Sequence, residues 1–418
     1  MLQFPLNSVQ FVHPSYSFHS QFERYFVTLG SIERNEMKMM KIIVAPDSFK
    51  GSLSSEEAAS AIERGIRRYL PYADIVKIPI ADGGEGTLDS LLAAAKGERM
   101  DVHVTGPLGE CIQSEYGLLT EGHVAVIEMA KTSGLCLVDE SQRNPAITTT
   151  YGTGELIKHA LDQGCREFII AIGGSATNDG GAGMLQALGL RLLDHNGNEV
   201  AFGGGALGKI ERIDFSAWDS RIAEARFVLA TDVENPLLGS EGATRVFGPQ
   251  KGASPDQVDD LEQQMSSWAD LVEQATGIRM HDLPGAGAAG GIGGAFQAFF
   301  PVTTQRGIDV VIAHTQLRKE LLDADLVITG EGRIDHQTAS GKTPMGIAQE
   351  AKKAGVPTVA LAGSVGQGIE PLYAHGLGAV WSIVNSPMTL HEAMREAAPL
   401  MEQAAEQMLR TLSLSKKK

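Results

Sequence analysis

Five stretches of the chain concentrate residue types that handle phosphate and metal ions: APDSFKGSLS at 45–54, ADGGEGT at 81–87, GGSATNDGGAG at 173–183, TDVENP at 231–236 and TGEGRIDHQTASGKTP at 329–344. Glycine lets backbone N–H groups approach a phosphate closely, and a helix N-terminus behind such a loop adds a favourable dipole. Carboxylates beside that amide cradle suit Mg²⁺ bridging to phosphate oxygens. Gly, Asp and Asn also build ordinary turns, so one loop of this kind says little. Five of them at expected strand ends are hard to explain as turns.

More familiar chemistries fail when their spacing is tested. Gly341-Lys342-Thr343 has the ending of a phosphate-binding P-loop, but the leading glycine falls on His336. GAGAAG at 285–290 fits a dinucleotide pattern, yet IRMHDLP before it is not a buried strand, leaving close backbone packing or an anion-binding turn. GGSAT at 173–177 lacks the last glycine of a nucleophile elbow, which argues against Ser175 as a hydrolase serine. No HExxH is present, and a lone histidine such as His314 reads as structural.

The elements that must position these loops repeat as apolar run, glycine-rich loop and helix, the pattern of an α/β protein with a largely parallel sheet. KIIVAP at 41–46 reads as a buried strand, and Ser54 with Glu57 forms a capping box opening a helix near Ser55. A second strand is expected at 75–80 and a helix at 86–96. Between about 101 and 130, DVHVTG and HVAVIEMA alternate like strands without long helices between them, which predicts antiparallel pairing and a new domain. A helix at 154–163, a strand at 167–172, a helix to 188 and a strand at 226–230 follow. Strand units return at 325–329, 357–362 and 379–384, so the two ends of the chain look alike.

The economical reading is one parallel-sheet domain from 40–100 and 316–418, with a second domain inserted over 101–315. Residues 1–39 are aromatic-rich without periodicity and read as an over-extended start or poorly ordered tail, the competing reading being a docking segment. Met394, Ala397, Met401, Ala405, Met408 and Leu412 form a core stripe on a closing helix that Pro399 should break or kink.

The 35 Lys+Arg against 51 Asp+Glu leave a net charge of −16, which opposes a broad footprint on nucleic acid or an anionic membrane. An anionic substrate then needs locally placed cations or N–H groups. Cys111, Cys136 and Cys165 show no CxxC spacing, so neither a zinc cluster nor a disulfide framework is expected, which fits a reduced cytoplasm. No apolar run is long enough for a membrane span, and the expected compartment is cytoplasmic.

At the same loops the sequence resembles the bacterial glycerate kinases that phosphorylate D-glycerate with ATP. The resemblance runs from about Lys41 to near residue 412 and includes IIVAPDSFKGSLS, IPIADGGEGT, GGSATNDGG, ATDVENPLLG, GAGAAGG and ITGEGRIDHQTASGKTP. It implies a Rossmann-like domain with an inserted mixed α/β domain and a cleft between them. It also implies ATP and D-glycerate as substrates and 2-phosphoglycerate as the favoured product. A homo-oligomer is left open.

The residue roles rest on chemistry: phosphoryl transfer needs charge neutralisation, in-line positioning and a base for the attacking hydroxyl. Lys50 and Lys342 are candidate cations for phosphate or the substrate carboxylate, and Arg333 is suited to bidentate carboxylate binding. Asp82, Glu85, Glu331 and Asp335 are candidates for Mg²⁺. Asp179 is the candidate base, with Asp232 competing for the base or metal role, and Ser175 and Asn178 contacting substrate. Gly173, Gly174, Gly287 and Gly290 are candidate anion-binding positions. Asp82 and Asp179 have a second reading as helix caps, and Arg333 and Asp335 as partners of each other. The competing functions are a kinase for another small hydroxy acid and a non-catalytic sensor of a phosphorylated metabolite.

Overall fold

The computed structural model describes residues 39–414 apart from 96, 120–122, 337 and 339–341. The leader reading of residues 1–39 therefore falls, but for Met39, outside the described residues. The chain begins with strands β1 (Lys41–Pro46) and β2 (Asp74–Lys77) and then runs through β3 (Glu98–Thr105), β4 (Cys111–Leu119), β5 (Val124–Glu128) and β6 (Glu167–Ala171). A small hairpin of β7 (Arg191–Leu193) and β8 (Arg212–Asp214) precedes β9 (Arg226–Ala230) and β10 (Val302–Gln305). It ends with β11 (Leu326–Ile334), β12 (Thr358–Val365) and β13 (Leu377–Ser382).

These strands form two main sheets. The first has the order β13-β12-β11-β1-β2 with every pair parallel, so its strands come from both ends of the chain. Ile42, Ile43, Val44 and Ala45 have no exposed surface, as befits a central parallel strand covered on both faces. The second sheet has the order β10-β9-β6-β5-β4-β3, parallel from β10 to β5 and antiparallel from β5 to β3. The alternating stretch between 101 and 130 thus pairs antiparallel as its periodicity predicts. The strand expected to reach residue 80 is regular only to Lys77, although Ile78 N and Ile80 N still donate to Val44 O and Pro46 O at 2.9 and 3.4 Å.

Helix α1 (Ser55–Tyr69) starts at the expected capping box, with the Glu57 N–H donating to the Ser54 hydroxyl at 3.2 Å and the Ser54 N–H to the Glu57 carboxylate at 2.8 Å. Helices α2 (Thr87–Ala95), α3 (Tyr151–Asp162), α4 (Ala182–Ala187), α5 (Pro255–Thr276), α6 (Gly307–His314) and α7 (Thr343–Ala354) follow. Ile43 of β1, Val126 of β5, Ile169 of β6, Leu88 of α2, Ile308 of α6 and Ile347 of α7 belong to one apolar core. A face of each sheet is buried in that core, each large side chain contributing about 1.5–3 kcal/mol. The loops at the strand ends are held against each other by it.

The closing segment is two helices, α8 (Leu390–Arg395) and α9 (Ala397–Leu414), rather than one kinked helix. Pro399 is the third residue of α9, in the first turn, where an N–H would have no intrahelical acceptor. The break therefore lies at Glu396, before the proline.

Candidate functional site

The carboxyl end of β1 is tied to its neighbours by a few hydrogen bonds. Asp47 N donates to Gly330 O at 2.8 Å, so the loop after β1 leaves the sheet beside the middle of β11. The Ser55 hydroxyl donates to Pro46 O at 2.6 Å and accepts from Ile80 N at 3.0 Å, which draws the segment after β2 into the same place. Four carboxylates, Asp47, Asp82, Asp232 and Glu331, meet there.

Asp82 is their common neighbour. Burial raises the Asp47 carboxyl to about 8, with the charge of Asp82 adding to it, although Thr343 Oγ1 donates to Oδ2 at 2.6 Å and Ser48 N to Oδ1 at 2.6 Å. Burial, and then Asp82, raise Asp232 to about 7 against a hydrogen bond from Gly307 N at 3.2 Å. Burial likewise raises Glu331 to about 7, opposed by the Thr338 hydroxyl, Lys342 and Lys50 and assisted by Asp82. Among the described residues none of the four makes an ion pair with lysine or arginine. Lys342 and Lys50 act on Glu331, and Arg306 on Asp232, only through their charge and without direct contact.

The junction of the two sheets lies at the same point. A Cβ on Gly307, the first residue of α6, would lie 1.9 Å from Asp82 O, and one on Gly83 would lie 2.9 Å from Gly307 Cα. Only glycine allows backbones from the segment after β2 and the start of α6 to press together so closely. Asp82 from the first sheet thereby faces Asp232, which follows β9 of the second.

The loop after β6 adjoins this cluster. Gly173 N donates to Gly83 O at 3.3 Å, and Leu135 N donates to Gly174 O at 2.8 Å. Ser175 is 8% exposed and its Oγ accepts from the Nζ of Lys251 at 2.8 Å. Asn178 is fully enclosed: its Nδ2 donates to Thr244 Oγ1 at 3.1 Å, while its Oδ1 has no hydrogen-bond partner among the described residues.

Asp179 is enclosed too. Thr150 N and Oγ1 donate to Oδ2 at 2.8 Å each, Gly183 N to Oδ2 at 3.3 Å and Gly181 N to Oδ1 at 3.1 Å. These donors stand at the N-termini of α3 and α4, so one carboxylate caps two helices. Burial raises its pKa and the four donors oppose the rise. Three of these donors converge on Oδ2 and one on Oδ1, and the carboxylate has no exposed surface. The geometry moves the base role away from Asp179.

Other candidates are also dispersed. Arg333 Nε donates to Asp335 Oδ2 at 2.8 Å, so these two pair with each other. Gly287 N donates to Asn235 O at 3.0 Å, and a Cβ on Gly290 would lie 2.0 Å from Thr177 O. These glycines pack backbone on backbone and hold the 177–180 and 235–237 segments. Glu85 is exposed and lies beside a cavity of about 840 Å³ whose lining includes Ser48, Lys50, Glu85, Glu128 and Lys131. That volume suits a nucleotide-sized ligand.

Sequence reasoning passed over Asp47, Glu128 and Lys251. Asp47 sits inside a loop singled out for chemistry, and its position one residue past a buried strand was the available signal. Glu128 ends β5, where burial raises it to about 7 although Leu88 N donates to it at 2.7 Å. Lys251 carried no signal, being an isolated lysine in a Gly/Pro-rich turn.

An α/β scaffold that gathers buried carboxylates and glycine-rich loops at strand ends, beside a nucleotide-sized cavity, has the arrangement of a small-molecule phosphotransferase. Residues 42–413 match the family model described as the glycerate kinase family. The chain is 52% identical over 377 residues to the glycerate kinase of Bacillus subtilis (strain 168), covering 90% of this chain and 99% of that one. It is 47% identical over 375 residues to the glycerate 2-kinase of Escherichia coli (strain K12), covering 90% and 98%. The crystal structure of a candidate glycerate kinase 2 from Salmonella typhimurium LT2 superposes with a TM-score of 0.78 at 48% identity, covering 91% of this chain and all of that one. The chain belongs to the glycerate kinase family.

Proposed function

We propose that this protein transfers the γ-phosphoryl group of ATP to the 2-hydroxyl of D-glycerate, releasing ADP and 2-phosphoglycerate. The observation that carries the reading is the convergence of Asp47, Asp82 and Glu331 from one sheet with Asp232 from the other, beside the Gly173–Ser175 loop. The names of the relatives in Bacillus subtilis and Escherichia coli support the substrate.

Carboxylates gathered without a direct ion pair fit a divalent cation, and Asp47, Asp82 and Glu331 would hold Mg²⁺. When bound, that ion neutralises charge on the transferring phosphoryl group. Asp232 accepts the proton of the glycerate hydroxyl as its oxygen bonds to phosphorus and the bond from phosphorus to the β–γ bridging oxygen breaks. Its carboxyl near 7 is matched to that task at neutral pH. Lys50 and Lys342 supply cations near Glu331 that screen phosphate oxygens. The loop of Gly173, Gly174 and Ser175 orients the glycerate carboxylate.

Phosphorus NMR of the products tests this directly, and the 2-phosphoglycerate resonance is the expected result. A 3-phosphoglycerate resonance moves the attack to the other hydroxyl. Faster turnover of tartronate or lactate than of D-glycerate makes the protein a kinase of a different hydroxy acid.

The raised carboxyls set a pH dependence. Between the unfolded carboxyl value of about 4 and the folded values of about 7 to 8, the native state holds protons that the unfolded state has lost. Stability therefore falls as pH rises through that window. Mg²⁺ binds the deprotonated groups and relieves their repulsion, so its thermal stabilisation is larger at pH 8 than at pH 6. In Glu331→Gln the pH 8 gain shrinks; a gain independent of pH and of this substitution removes these carboxylates from the metal role.

A further inference from the structure

Lys251 is the residue of this site whose burial most needs a reason. It is 2% exposed, and its Nζ donates to Ser175 Oγ at 2.8 Å and to Thr177 O at 2.6 Å. Among the described residues it makes no ion pair, and the carboxylate whose charge reaches it, that of Asp179, is occupied by four other donors. Burial lowers the Lys251 ammonium to about 7, with the charge of Asp179 opposing the fall, and an apolar side chain would fill the same volume without that cost. Its two hydrogen bonds flank Ala176 and fix the loop after β6.

The position of Ser175 shows what that ammonium acts on. Ser175 Oγ already accepts a hydrogen bond from Lys251, so its own O–H is left to donate. Ser175 keeps some exposed surface, whereas Thr177 and Asn178 keep none. It stands two residues from Gly173, which touches the 83–84 backbone beside Asp82. A substrate carrying a carboxylate is repelled by Asp47, Asp82, Asp232 and Glu331. In its protonated form Lys251 relays a positive charge through that hydroxyl, which offsets the repulsion without placing a second flexible cation in the cleft.

We propose that Lys251 is a positioning residue for the carboxylate of the substrate, acting through Ser175, whose hydroxyl donates to that carboxylate. The inference rests on the glycerate kinase reading. It assigns Lys251 to acceptor binding, distinct from the nucleotide and from the phosphoryl step.

The experiment is steady-state kinetics of the full chain and of Lys251→Met, Ser175→Ala and the double variant, with D-glycerate and ATP varied separately. Each single variant raises the KM for D-glycerate by about 10- to 100-fold, the range expected for a lost charge-assisted hydrogen bond. The KM for ATP stays within about twofold. The double variant is no worse than the worse single one, because both changes break the same relay. An unchanged glycerate KM in the variants, or equal losses for both substrates with kcat, overturns the inference and leaves the kinase reading in place. If Lys251→Met does not fold, the glycerate KM of Ser175→Ala decides alone. A full chain that turns over no glycerate fails the kinase reading, and this inference with it.

Discussion

Asp232→Asn lowers turnover by about 10²- to 10⁴-fold, equivalent to about 3–5 kcal/mol in the barrier, while the KM for ATP changes little. The side chain keeps its size and can still accept from Gly307 N through its amide oxygen, so the junction of the sheets is preserved. What disappears is a carboxylate held near 7, able to take the hydroxyl proton as the phosphoryl bond forms. Single-turnover quench measurements with saturating ATP isolate that step. A variant that keeps more than a tenth of the wild-type rate returns the base role to another carboxylate, with Asp47 next in line.

Asp179→Ala destabilises the fold by about 3–5 kcal/mol, the cost expected when a buried network loses its central acceptor. Thr150 N, Gly181 N and Gly183 N lose their partner together, and two helix N-termini lose a cap. Asn at this position rescues little, because its NH₂ group must face donors on one side. Urea denaturation measures the loss, and turnover per folded molecule stays within about threefold of wild type. A fully stable variant without activity would instead make Asp179 part of the chemistry.

These two aspartates show what a sequence can convey about a site. Both stand in loops after buried strands, and the glycine-rich setting of Asp179 ranked it above Asp232 as the candidate base. The difference is three-dimensional: Asp179 turns back toward Thr150, 29 residues earlier in the chain, whereas Asp232 faces Asp82 across the sheet junction. The strands were legible because apolar runs such as KIIVAP can be buried only on both faces of a sheet. The start of α1 was legible because Ser54 and Glu57 are local partners. Contacts between distant segments were not, as with Lys251 and Ser175, 76 residues apart. Arg333 and Asp335 were local enough to be weighed as a pair, and they pair. Pro399 marked an interruption, but its place in the first turn rather than at the break follows from helix end geometry that position alone does not reveal.

The order of strands in the first sheet also bears on how the chain is made. Strand β1 lies between β2 and β11, with Ile42 opposite Leu326, so one edge of β1 has no partner until the last third of the chain exists. All strands of the second sheet lie between these two points, and that sheet can assemble while β11 is still unsynthesised. At ribosomal speeds of about 5–20 residues per second, the wait lasts on the order of ten to fifty seconds. During that time the β1–β2 pair presents an unpaired strand edge, the interval in which a nascent chain is most open to chaperones and to aggregation.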